Sequence, residues 1–313
     1  MFVRSGIVVV AETCTHEAVS VAVHHHCACI SNLSFVFLSQ IINSANWAYS
    51  SRGWESVFLP LSESCTSVGD DHVTEWKPGM DLTDDHFKVV HLPHLSTLIK
   101  DKNFTRFSIP ADILNQLAPL HGDPRMWWVG HVMSYVSRLN PVMEKFVQER
   151  VDLLGFRHPV VGIQVRRGDK VIHEGKFHSL DKYMDHVKDF YNREFPVAKY
   201  KHVTRRVFMA TDEESLHSEA RKEYPDFEFI GDPEISKSAG NLTTRYSETA
   251  LRDVISDLYL LSRSDFLVCT FNSNVGRAAF ELMQTASRDN SKQVRSLHNH
   301  SFLKDKLFTK KTK

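Results

Sequence analysis

The run Gln164-Val165-Arg166-Arg167-Gly168-Asp169-Lys170 sets three cations around one carboxylate, directly after the apolar stretch Val160 to Val165. A guanidinium is a planar fork of donors that matches a phosphate and holds it with paired, charge-assisted hydrogen bonds. Arg167-Gly168-Asp169 is also the tripeptide of integrin ligands, which must stand at the tip of an exposed loop. Here it abuts a run apolar enough for a central strand, and this favours a reaction centre over an adhesive loop. Adjacent residues at a strand end face opposite sides, so one arginine is expected in a cleft and the other outside it. Arg166, next to the last paired position, is the one expected in the cleft.

Lys170 and, after a short loop, Glu174 come within reach of the same edge. A carboxylate beside a cation has a lowered pKa, so Glu174 is expected to stay ionised and to accept a proton from a sugar hydroxyl as it attacks. A loop salt bridge is the other reading of this pair. The sequence has no glycine-rich phosphate cradle of either standard spacing and no Asp-x-Asp pair to hold a metal on a diphosphate. A diphosphate at this edge would therefore be neutralised by Arg and Lys, and no metal or other cofactor is expected.

The elements that must position these groups begin at residue 159. Strands are predicted at Val160–Val165, Val207–Ala210, Phe227–Ile230 and Phe266–Cys269. Helices are predicted between and after them, at Leu180–Tyr191, Glu214–Tyr224, Glu248–Leu261 and Ser273–Gln284. This alternation builds a parallel sheet covered on both faces, with ligands at the carboxyl edge of the strands. Asp212, Glu213 and Glu214 stand at that edge, where helix capping is the simpler role. In the first half Tyr49–Leu61 and Val89–Leu92 look strand-like, and Pro110–Leu117, Trp127–Arg138 and Pro141–Leu154 look helical. The expected domains are thus an open α/β unit over residues 24–150 and a Rossmann-like unit over 151–300.

Composition narrows the function class. The 313 residues are 42% hydrophobic and 24% charged, which suits a globular protein. Lys plus Arg and Asp plus Glu both total 38, so no net field draws the chain to nucleic acid or anionic lipid. Five scattered cysteines do not decide the compartment, and His24, His25, His26, Cys27 and Cys29 make a poor metal set, since consecutive residues of a strand alternate faces. Leu33 to Ile42 is too short to span a bilayer, and Glu12 and Glu17 interrupt any signal-like core. Asn-x-Ser/Thr sequons occur at Asn32, Asn103, Asn241 and Asn299.

Longer strings carry a resemblance. GIQVRRGDKVIHEGKFHSLDKYM, VFMATDEES and DLYLLSRSDFLVCTFNSNVGRAAFELMQT are similar to the eukaryotic alpha-1,6-fucosyltransferase family, which core-fucosylates N-glycans. NWAYSSRGWESVFLPLSESC and HGDPRMWWVGHVMSYVSRLNP resemble its other half, so the similarity runs from about residue 25 to 297. It implies two Rossmann-like α/β domains facing a cleft in a GT-B-like arrangement, with the nucleotide-sugar at the carboxyl edge of the C-terminal sheet. It also implies GDP-fucose as donor, N-glycan glycoproteins as acceptors, inverting transfer without a metal, and the Golgi lumen. By position, Arg166 would hold the β-phosphate, Lys170 and Glu174 would serve the acceptor hydroxyl, and Asp257 would read guanine. Tyr183, Asp212, Glu213 and Ser273 match further functional positions, which revises the capping role at Asp212.

Against the family pattern the chain is expected to lack the membrane anchor, the helical stem and the C-terminal Src-homology-type barrel. His298 and Asn299 stand where the family carries an acidic pair, Gln164 replaces a His, and Gly276 replaces a Cys that would pair with Cys269. Donor binding is expected to survive these changes. A non-catalytic member that binds GDP-fucose without transfer is the alternative expectation.

Overall fold

A computed structural model describes residues 7–10, 39–42, 49–61, 73–75, 77, 89–92, 109, 111–167, 178–196, 198–200, 202–241, 243–244, 246–286 and 289–297. The chain divides into two compact units, Met1–Trp47 with Ser51–Arg106, and Ala48–Ser50 with Phe107–Lys313.

In the first unit, strands β1 (Ile7–Val10), β2 (Ser39–Ile42), β3 (Val73–Glu75) and β4 (Val89–Leu92) form one sheet in the order β2-β1-β4-β3. β1 pairs antiparallel with β2 and β4, while β3 runs parallel to β4. The strand expected over Tyr49–Leu61 is absent: the segment folds into a 3-10 turn at Trp54–Ser56. Gly53 breaks extended pairing with φ +66°, and Ser56 closes the turn by donating its hydroxyl to the Gly53 carbonyl at 2.7 Å. The aromatic residues that suggested a strand are buried against each other instead, with Trp54 and Phe58 ring centres 4.3 Å apart.

The second unit opens with three helices, α1 (Ala111–Leu117), α2 (Pro124–Val136) and α3 (Pro141–Leu154). Asp123 and Asn140 cap α2 and α3, each accepting a backbone N–H three residues on, and a proline follows each cap. Alternating elements then follow: β5 (Val160–Val165), α4 (Leu180–Glu194), β6 (Arg206–Thr211), α5 (Leu216–Glu223), β7 (Glu228–Ile230), α6 (Pro233–Gly240), α7 (Glu248–Ser262), β8 (Phe266–Cys269), α8 (Asn274–Met283) and β9 (Val294–Ser296). All five strands are parallel, in the order β7-β6-β5-β8-β9. β5 and β8 are buried at every residue, which is why they read as unbroken apolar runs. Between α4 and the sheet lies a core of Ile163, Val165, Met184, Val187, Phe190 and Val268, supplied by the 3.6-residue stripe of the helix.

The second unit takes in residues 107–150, so its start precedes the boundary expected at residue 151. The cause is packing: α2 lies on α8 and α3 on α7, and the stripe Met143, Val147 and Arg150 of α3 is buried by that contact.

Candidate active site at the carboxyl edge of the parallel sheet

The strand order reverses direction between β5 and β8, and such a switch point leaves a crevice at the carboxyl ends of the two strands. Ile163 pairs with Val268, so the residues that follow, Arg166 on one strand and the turn Thr270–Ser273 on the other, emerge at the same end of the sheet. Thr270 closes that turn by accepting the Ser273 N–H at 2.9 Å.

Each arginine is held differently. Arg167 is 8% exposed at its side chain and forks onto Glu219 at 3.3 and 3.4 Å, with Glu213 at 3.4 Å. Arg166 keeps 27% of its side chain exposed, and its Nε lies 3.9 Å from Asp212 Oδ2. Asp212 also accepts the Arg167 backbone N–H at 2.8 Å. Its carboxylate therefore crosses to the neighbouring strand end and fixes where both arginines leave the sheet, in place of the helix cap that its position suggested. Glu213 binds Arg167 and the Ser215 hydroxyl, and its own N–H donates to Thr211 Oγ1.

Ser273 sits at the N-terminus of α8, 2% exposed, and its hydroxyl makes no cap hydrogen bond and has no partner among the described residues. A helix start with a spare hydroxyl beside it is suited to an anion, since the first N–H groups are unpaired and the helix dipole favours negative charge. Tyr183 is 1% exposed within the core. Burial pushes its phenol well above the usual range, Cys269 and Asp212 push the same way, and Arg167 opposes them. Lys170 and Glu174 lie outside the described residues, as do Gly168, Asp169, the segment His24–Cys29 and the sequons at Asn32, Asn103 and Asn299.

Asp257 is buried in α7 and belongs to a charged cluster that sequence reasoning missed. Burial pushes its carboxyl up to about 7, with Arg150 opposing and Asp253 and Asp232 adding to the rise. Arg150, 8% exposed, binds Asp232 at 2.7 Å, and its Nε and Nη2 have no hydrogen-bond partner among the described residues. Burial pushes the Asp232 carboxyl up, but the hydrogen bonds from Arg150 and from the Glu234 amide outweigh it and hold it below the usual range. A hollow of about 510 Å³ opens beside the cluster, with Phe146, Arg150, Asp232, Ile235, Ser238 and Asp253 among its walls. Neither Arg166 nor Ser273 lines it. The signal for Arg150 was its place on the apolar stripe of α3, seven residues after Met143 and three after Val147.

Beneath the switch point, Gln164 is 6% exposed with its Oε1 unpartnered among the described residues, and Cys269 is fully buried as a free thiol. A Cβ at Gly276 would lie 2.9 Å from Cys269 Cβ and 3.1 Å from its sulfur. Position 276 therefore faces Cys269 directly.

The pattern described as alpha-(1,6)-fucosyltransferase N- and catalytic domains matches residues 20–300. The chain belongs to the alpha-1,6-fucosyltransferase family. It is 39% identical over 274 residues to an alpha-(1,6)-fucosyltransferase of Drosophila melanogaster, covering 88% of this chain and 43% of that protein. With an alpha-(1,6)-fucosyltransferase of Caenorhabditis elegans it shares 36% over 259 residues, 82% of this chain and 45% of the other. The chain thus spans less than half the length of these two relatives. A crystal structure of NodZ alpha-1,6-fucosyltransferase co-crystallized with GDP is 17% identical and covers 45% of this chain and 41% of its own, at a TM-score of 0.31. At that score the likeness carries no inference about the site. The fucosyltransferase match takes in both strand ends, α7 and the Gly276–Cys269 contact. Among the described residues of this fucosyltransferase-family chain, no helix is long and apolar enough to cross a membrane.

Proposed function

We propose that the chain transfers fucose from GDP-fucose, in alpha-1,6 linkage and with inversion, to the innermost GlcNAc of N-glycan glycoproteins, without a metal ion. The observation that carries the reading is that Arg166 and the Ser273 hydroxyl, unpartnered among the described residues, follow adjacent parallel strands at the carboxyl end of the switch point. The acceptor oxygen attacks the anomeric carbon of fucose, the bond to the β-phosphate breaks with its electron pair leaving on GDP, and the acceptor proton passes to Glu174. Negative charge grows on the diphosphate as this happens. A guanidinium beside Asp212 and a helix N-terminus at Ser273 stabilise that charge, and this lowers the barrier. Lys170 assists at the acceptor hydroxyl.

On the donor side Asp257 reads guanine, and Asp212, Glu213 and Tyr183 set the shape around Arg166. Asp212 and Glu213 do this by anchoring the two arginines, and Tyr183 does it from within the core. The proposed compartment is the Golgi lumen.

The test is to incubate the purified chain with GDP-fucose and a GlcNAc-terminated biantennary N-glycopeptide, following the peptide mass. Addition of one fucose supports the reading. GDP binding without transfer moves the assignment to a non-catalytic donor binder, and absence of both contradicts the site itself.

A further inference from the structure

The sequon Asn241-Leu242-Thr243 is unrelated to donor binding, yet Asn241 and Thr243 are both placed and exposed in the structure. Asn241 ends α6, donating its backbone N–H to the carbonyls of Lys237 and Ser238. Its side-chain oxygen accepts two hydrogen bonds from Thr243, from the backbone N–H at 2.9 Å and from the hydroxyl at 2.7 Å. A backbone N–H can only donate, so the atom facing it is Oδ1, and this fixes which end of the carboxamide is nitrogen. Nδ2 is thereby left at the other end, with no partner among the described residues and on an exposed side chain. The neighbouring Thr244 and Tyr246 are exposed as well.

We propose that Asn241 is an N-glycan acceptor, taking an oligosaccharide from a polyisoprenyl diphosphate donor. Nδ2 forms a bond to the anomeric carbon of the first sugar, the anomeric bond to the diphosphate oxygen breaks, and the lipid diphosphate leaves with the electron pair. The proton lost from Nδ2 goes to the base of the transferase. The Thr243 hydroxyl gives the tripeptide its identity, and only Ser or Thr at that position is compatible with the motif. Occupancy in the cell rests on the lumenal compartment proposed above, whereas acceptor competence of the folded chain does not.

The modified residue would also border the candidate active site. Gly240, directly before Asn241, is packed so closely that a Cβ there would lie 2.6 Å from the Asp212 backbone oxygen. Glycan added at 241 is therefore rooted at the end of the helix that packs on Asp212, yet on an exposed residue.

The experiment treats the folded, purified chain with a single-subunit oligosaccharyltransferase and lipid-linked oligosaccharide, and maps modified peptides by mass spectrometry. Wild type and Thr243→Ser are expected to carry glycan at position 241, while Asn241→Gln and Thr243→Ala are expected to lose it completely. Unmodified Asn241 in the folded wild type overturns the proposal, whether or not the heat-denatured chain is modified there. Glycan persisting at Asn241 in Thr243→Ala overturns it too. The assay contains no GDP-fucose, so its failure is separate from a failure of the transfer reaction.

Discussion

Two places in the second unit gather arginine and carboxylates, and they do opposite things with them. At the strand edge Asp212 ties Arg167 through its backbone and stands beside Arg166, while Glu213 and Glu219 absorb the Arg167 side chain. One cation is consumed as structure and the other keeps a quarter of its side chain open. In the helical cluster Arg150 acts on Asp232, Asp253 and Asp257, with Arg252 adding to its effect on Asp253, and the neighbouring carboxylates oppose the ionisation of the buried Asp257. The edge is a fixed donor array set by strand geometry. The cluster is an over-supplied set of acids whose protonation responds to pH.

The sharpest way to break this contrast is to remove each arginine. Arg166→Ala is expected to lower the transfer rate by two to three decades, about 3 to 4 kcal/mol of barrier, with the thermal midpoint of the protein almost unchanged. Arg166→Lys should fail similarly, since an ammonium cannot reproduce the fork. A Lys variant with near wild-type turnover in a fucose-transfer assay would show that charge alone suffices.

Arg150→Met should behave in the reverse sense, costing about 3 kcal/mol of stability by leaving Asp232 and its neighbours without their counter-charge. Urea denaturation measures this directly. An unchanged midpoint would mean that the cluster is solvated.

The pH dependence separates the two regions further. Asp257 has a folded-state pKa raised to about 7, against about 4 in an unfolded chain, so the native state holds the extra proton. Its contribution to stability is complete below pH of about 4 and declines as pH rises through about 7. Wild type should therefore lose stability relative to Asp257→Asn across that window, by a few kcal/mol at most on the order-of-magnitude scale of such shifts. GDP affinity should move oppositely, because guanine N–H groups require the ionised carboxylate: it should strengthen as pH rises through about 7 in wild type and stay weak and flat in Asp257→Asn. Parallel denaturation and GDP titrations at several pH values check both signs.

The smallest expected effect lies beneath the edge. Gly276→Ala puts a methyl 2.9 Å from Cys269 Cβ and should cost about 1 to 3 kcal/mol through overpacking, read as a lowered denaturation midpoint.

Much of the sheet was legible because burial on both faces leaves a plain mark. Val160–Val165 and Phe266–Cys269 are predicted to the residue, since no polar side chain other than Gln164 interrupts them. Helix α4 is legible for the same reason, through its stripe of Leu180, Tyr183, Met184, Val187 and Phe190. Short elements left no such mark: β9 is three residues with Arg295 at its centre, and it exists because β8 offers it a ladder. Helix α6 is not among the predicted helices, although Asp232 followed by Pro233 is a cap and a first helical residue. At the site, the placement of Arg166 directly after β5 was readable, but partner choice was not. Nothing in the spacing says that Asp212 crosses to Arg167 or that Arg150 meets Asp232, because both depend on contacts between residues 45 and 82 positions apart.

The most direct check of the central claim is calorimetric titration of GDP, in chelator-treated buffer, into wild type and Arg166→Ala. Saturable binding by wild type that weakens at least tenfold in Arg166→Ala is the predicted result. Equal affinity in the two proteins would mean that Arg166 does not hold the diphosphate, and would contradict the account.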